Sequence, residues 1–184
     1  MTSARIAPGG RREVGLFTWA LANVAGWVGG HGPMNLFLTL GRHRRLFRGW
    51  LRFAGRLMPG GRLPRRDTEL VILRVAHLRQ NHYELGHHIR LGRRAGLDDA
   101  DFARVAEGAQ ADGWSPRERA VLTAVEGMHR DGDLDDPTWA ALRSQVSERE
   151  AIELCLLAGH YEMLATTIAT LRIEPERKRR RRRR

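Results

Sequence analysis

Apolar and polar positions recur at helical spacing along most of this chain. From Asn35 to Met58, the residues Leu36, Leu40, Phe47, Leu51, Ala54 and Met58 repeat near the helical period, while Arg42, Arg44, Arg45, Arg48, Arg52 and Arg56 fill the other side. That pattern predicts one amphipathic helix with its arginine face in water. Upstream, Glu13 to Val28 reads as a first helix, closed by Gly29-Gly30-His31-Gly32-Pro33. Downstream of Pro59-Gly60-Gly61, a helix opens at Arg66-Asp67-Thr68 and runs to Arg79. Its Leu70, Val71, Ile72, Leu73, Val75, Ala76 and Leu78 leave almost no polar face, so it is expected to be central and buried.

Five further helices follow. Asn81 with Glu84 three residues on resembles a capping box for a helix ending near Ala95. A shorter helix covers Asp98 to Gly108. Ser115-Pro116-Arg117-Glu118 supplies a serine cap, a first-turn proline and an acid at the third position, for a helix reaching Arg130. Asp136-Pro137 starts another through Val146. Ser147 with Glu150 caps the last helix, which runs to Ile173. No segment alternates with a strand's period of two. The class is all-α, a compact bundle of about seven to eight helices.

Length and charge set the organisation. With 184 residues there is room for one domain. The expected layout is a flexible arm over 1–12, a single helical domain over 13–174 and a disordered basic tail over 175–184. The net charge of +11 suggests a nucleic-acid binder until it is located. Arg177 to Arg184 are eight consecutive cations, leaving 24 basic against 21 acidic residues elsewhere. A near-neutral body argues against a nucleic-acid surface. The tail is expected to touch nucleic acid or anionic surfaces only weakly.

The stretch Val14 to Gly41 contains no Asp, Glu, Lys or Arg, which raises export or membrane insertion. The Gly-Pro cluster cuts it into pieces shorter than the roughly 20 apolar residues of a spanning helix. It is read as a buried core helix, and the protein as cytoplasmic with no membrane span. The one cysteine, Cys155, sits in an apolar run and is read as a small core hydrophobe.

Candidate chemistry concentrates between Leu63 and Gly96. Glu69 lies early in the most apolar helix, and Asn81, Tyr83, Glu84, His87 and His88 crowd the next one. Glu84 and His88 are four apart and share a helix face, as do Tyr83 and His87 on a face turned by about 100°. Buried carboxylates are costly unless paired, so acids at such apolar positions need a reason to be there. Two Glu-x-x-His spacings, Glu84 to His87 and Glu126 to His129, raise a di-iron site. Such a site also requires two bridging glutamates on separate long helices. The Glu126 helix is short, with His129 at its frayed end, and no metal or organic cofactor is expected.

Leu63-Pro64-Arg65-Arg66-Asp67-Thr68-Glu69-Leu70-Val71-Ile72-Leu73-Arg74-Val75-Ala76, then Tyr83-Glu84-Leu85-Gly86-His87-His88, and later Gly159-His160-Tyr161-Glu162, resemble the carboxymuconolactone decarboxylase and alkylhydroperoxidase D family. The likeness spans Gly41 to Glu174 and is strongest from Leu63 to Gly96. In the alkylhydroperoxidase D branch, a glutamate faces a Cys-x-x-Cys pair followed four residues later by histidine. By position, Glu69 matches that glutamate and His88 that histidine, while the cysteine positions fall on Asn81 and Glu84. A dithiol peroxidase needs both thiols, so peroxidase chemistry is the less expected branch.

The resemblance implies an alkylhydroperoxidase D-like bundle, trimers or hexamers, and acid/base chemistry on a small lactone or organic acid. Decarboxylation is the type reaction. His88 is the expected proton donor, Glu69 its orienting partner, Glu84 the second acid/base and Asn81 a donor to a developing oxyanion. Tyr83 and His87 are expected to contact substrate. A non-catalytic assembly or binding protein on the same scaffold is the alternative.

Overall fold

The structure is a computed structural model in which residues 3–176 are described. Of the expected basic tail over 175–184, residues 177–184 lie outside them. Ten α-helices and no strand occur among the described residues: α1 (Arg11–Val14), α2 (Leu16–Val28), α3 (Asn35–Leu40), α4 (Arg44–Leu57), α5 (Arg65–Leu78), α6 (His82–Arg94), α7 (Asp99–Glu107), α8 (Pro116–Asp131), α9 (Asp136–Gln145) and α10 (Glu148–Leu171). The chain divides into two compact units. One comprises the described residues of Met1–Phe53 and Thr167–Arg184, the other Ala54–Thr166.

The all-α class agrees with the periodicity, and two expected helices are each broken in two. Gly15, at φ +82°, interrupts the first between α1 and α2. The second stops at Gly41 and resumes at Arg44. In the first unit, Arg44 donates to the carbonyls of Arg12 and Glu13, and Arg42 pairs with Glu13 at 2.6 Å. Phe37, Phe47 and Trp50 pack ring to ring, with centroids 5.6–5.9 Å apart. Gly9 of the expected arm donates to the carbonyl of Leu38.

Helix α2 corrects the reading of a buried apolar helix. Its buried strip is Thr18, Ala22 and Gly26, at four-residue spacing. A Cβ on Gly26 would lie 2.1 Å from the carbonyl oxygen of Gly32, so the backbones approach where only glycine fits. The large side chains point the other way: Leu16, Phe17, Val24, Trp27 and Val28 are all more than half exposed. Small residues occupy the contact and large ones face out.

In the second unit α5 is central, packed against α6, α7 and α8. Every residue from Asp67 to Ala76 is buried. Leu70 and Leu73 join Leu97, Val105, Ala109, Trp114 and Leu122 in one core cluster. The charged residues of α5 are paired. Arg66 bonds Asp101 at 2.8 Å and Glu118 at 2.7 Å, Asp67 accepts from Arg117 at 2.7 Å, and Arg74 meets Glu126 at 2.7 Å. These ties tether α5 to α7 and α8. The turn before α5 is held by Glu153, which accepts from the backbone N–H groups of Arg62 and Leu63.

Helix starts follow the cap signals closely. Ser115 and Glu118 form the expected capping box, and Ser147 and Glu150 bond reciprocally at the start of α10. Among the described residues, α10 is the one helix long and apolar enough to cross a membrane. Its Leu154, Leu157, Ala158, Tyr161 and Leu164 are buried against protein.

Candidate active site

Three helices of the second unit bring the chemistry together. Glu69 stands one turn into α5 and is fully buried. Asn81 caps α6, accepting from the Glu84 backbone N–H at 3.3 Å. The Glu84 side chain does not turn back to complete a capping box. It points along the helix to His88, Oε2 to Nε2 at 3.3 Å. The other ring nitrogen, Nδ1, lies 2.7 Å from Glu69 Oε2. An imidazole thus has a buried carboxylate on each nitrogen.

Two residues absent from the expected site complete the group. Arg65, at the start of α5, donates from Nη2 to Glu69 Oε1 at 2.5 Å. Tyr161 of α10 stands edge-on to the His88 ring, with its hydroxyl 3.3 Å from Nε2. That hydroxyl accepts from His88 and donates toward Met58 Sδ at 3.9 Å. The four-residue spacing of Arg65 and Glu69 is a sequence signal for their pair. Tyr161 has no such signal, since 73 residues separate it from His88.

Electrostatics favour a charged His88. Burial works against the imidazolium, but hydrogen bonds and charges from Glu69 and Glu84 outweigh it, raising the pKa from 6.5 to about 9. Tyr161 is held well above its ordinary value, first by burial and then by the charges of Glu84 and Glu69. His160, also buried, is pushed down by desolvation despite the opposing charge of Glu84. His88 on α6 and His160 on α10 are therefore imidazoles of opposite tendency within one unit.

The structure brings Glu69, Glu84 and His88 together, with Asn81 at the foot of the same helix. Tyr83 and His87 form a separate ring pair on α6, with centroids 4.8 Å apart. The di-iron spacing is used otherwise. Glu126 takes Arg74 and the Ala109 N–H, and His129 bonds Glu162 at 2.6 Å. Cys155 also departs from expectation: it is exposed rather than in the core, because the helix turns Leu154 and Leu157 inward instead. With Met128, His129, Trp139 and Glu162 it lines a pocket of about 520 Å³ that does not include the Glu69–His88–Glu84 group.

Comparison with known proteins bears on the fold. Residues 44–127 match the model of the carboxymuconolactone decarboxylase family. An alkylhydroperoxidase AhpD core protein from Ralstonia eutropha, described as an uncharacterized peroxidase-related protein, is 19% identical with a TM-score of 0.78, over 93% of each chain. A peroxidase-related protein from a Silicibacter species is 16% identical, with a TM-score of 0.77 over 87% of this chain and 85% of that one. The debrominase Bmp8 is 16% identical, with a TM-score of 0.78 over 93% of this chain and 91% of that one. No curated protein matches the sequence. The chain is thus similar to the carboxymuconolactone decarboxylase family over residues 44–127, on an all-α fold shared with AhpD-like proteins.

Proposed function

We propose that the protein performs acid/base chemistry on a small lactone or organic acid, with decarboxylation or a related proton transfer as the reaction. The observation that carries this reading is one buried imidazole held between two buried carboxylates. Loss of carbon dioxide from a carboxylated lactone leaves charge on a dienolate oxygen, which must be stabilised before carbon is protonated. His88, whose pKa is raised to about 9, retains a proton at neutral pH and is the donor. Glu69 fixes the ring through Nδ1, and Arg65 in turn fixes Glu69. Glu84 is the second acid/base group. Asn81 spends its carbonyl oxygen on the helix cap and has its amide N–H₂ available for the oxyanion. Tyr83 and His87 are proposed to contact substrate from the neighbouring face of α6.

Asn81 and Glu84 stand where the alkylhydroperoxidase D branch carries cysteines, so dithiol peroxidase chemistry is not proposed. Homo-oligomers and a cytoplasmic location belong to the same proposal, the former supported by the exposed apolar side of α2. Turnover of a carboxylated muconolactone by the wild type and His88→Ala tests the chemistry. The variant is expected to lose about 10²–10⁴ in rate. Equal turnover by both proteins contradicts the assignment.

A second reading is a non-catalytic helical assembly or binding protein, in which the buried group only holds helices together. It is favoured by the mutual contacts of Glu84, His88 and Tyr161. It predicts an inert wild type and a purely structural penalty in Glu84→Gln.

A further inference from the structure

The bonding around His88 is not complete. Among the described residues, three buried polar atoms of this group have no hydrogen-bond partner: Arg65 Nη1, Asn81 Nδ2 and Glu84 Oε1. Leaving such atoms unpaired forfeits their hydration without a replacement bond, and the cost is greater when the group is charged. Unpaired polar atoms at a site of this kind are met by a ligand or an ordered water. Asn81 and Glu84 are 7% and 5% exposed, so bulk water does not serve them.

Arg65 stands apart within the group. Its side chain is 40% exposed, whereas those of Glu69, Glu84 and His88 are 6% exposed or less. The arginine stem is at the surface, while its tip turns inward. Glu69 occupies one end of the guanidinium fork, and the other end is buried and unpaired. A half-used fork is suited to accept an oxygen from a second carboxylate. It is the most exposed cation of the group.

We propose that Arg65 is the substrate-anchoring residue: its free Nη1 binds the carboxylate of a small organic acid entering the Glu69–His88–Glu84 group. Asn81 Nδ2 then donates to an oxygen further along the ligand, and Glu84 Oε1 accepts from a hydroxyl or receives a proton. The ligand class is a small carboxylate carrying a second oxygen function. This inference rests on the acid/base reading above and adds how the acid is oriented.

Benzoate serves as a non-reacting probe, with benzyl alcohol and benzylamine as matched neutral and cationic controls. Binding is followed through the His88 ring signals of histidine-labelled full-length protein at constant ionic strength and pH 7. Benzoate is expected to shift those signals saturably, and the two controls are not. Arg65→Lys retains a cation for Glu69 but lacks the second N–H of the fork. It should keep the wild-type melting temperature and weaken benzoate binding at least tenfold. Benzoate binding to Arg65→Lys with wild-type affinity overturns the proposal. So does the absence of a saturable shift in the wild type, a result that does not depend on the variant folding. Binding lost in Arg65→Lys, together with unchanged turnover in His88→Ala, would sink the chemistry and leave the anchor standing.

Discussion

Helices α2 and α5 invert what their compositions suggest. Helix α2, Leu16–Val28, has no charged residue, yet its large apolar side chains are exposed and only Thr18, Ala22 and Gly26 are buried. Helix α5, Arg65–Leu78, carries five charged residues besides His77, and every position from Asp67 to Ala76 is buried. Apolar content alone does not decide which helix forms a core. Helix α5 is buried because its charges are paired: Arg66 with Asp101 and Glu118, Asp67 with Arg117, Glu69 with Arg65 and His88, and Arg74 with Glu126. Buried pairs of this kind are costly to break by removing one partner, more than they are stabilising when intact. Helix α2 has nothing to pair, and its backbone approaches Gly32 through a strip of small residues.

The largest expected effect comes from unpairing α5. His88→Ala leaves two buried carboxylates without their shared cation, and should destabilise the protein by about 3–5 kcal/mol in denaturant unfolding. A loss below 1 kcal/mol would mean that the three groups do not form one charged network. A second break uses pH alone. The folded pKa of His88, about 9, exceeds its ordinary 6.5. Its stabilisation is therefore complete below pH 6.5 and is lost as pH rises through 9, on the order of 3 kcal/mol. Chemical denaturation across pH 6–10 should show that decline, and His88→Ala should lack it.

A smaller change separates cap from chemistry. Asn81→Ser keeps an oxygen for the Glu84 N–H without adding a buried charge, so it should hold stability within about 1 kcal/mol. It removes the amide donor, and turnover should fall about 10²–10³. Unimpaired turnover would restrict Asn81 to capping. The smallest effect belongs to α2. Trp27 is 70% exposed, so Trp27→Gln should change unfolding of the isolated chain by no more than about 0.5 kcal/mol. Light scattering of the same variant reads whether that face joins copies of the chain; an unchanged mass would remove α2 from the assembly proposal.

The same contrast explains what the sequence made legible. Caps at Asn81, Ser115 and Ser147 are local, and the helices began where those signals lay. Glu84 and His88 share a face by spacing alone, and their pairing followed. The approach of Glu69 depends on how α5 packs on α6, and that of Tyr161 on α10 returning from 73 residues away; neither is fixed by local pattern. Arg65 was readable at four-residue spacing from Glu69, but it fell one residue before the expected helix start. The outward turn of α2 was not readable from apolarity, because small residues define its contact. Cys155 likewise lies in an apolar run whose buried positions are Leu154 and Leu157.

The central claim is that His88 is a buried imidazolium held by two carboxylates. Titrating the ring by nuclear magnetic resonance, with its signals assigned by their loss in His88→Ala, measures this directly. The account predicts both ring nitrogens protonated at pH 7 and a midpoint near 9. A midpoint at or below 6.5, with one nitrogen bare at neutral pH, contradicts it.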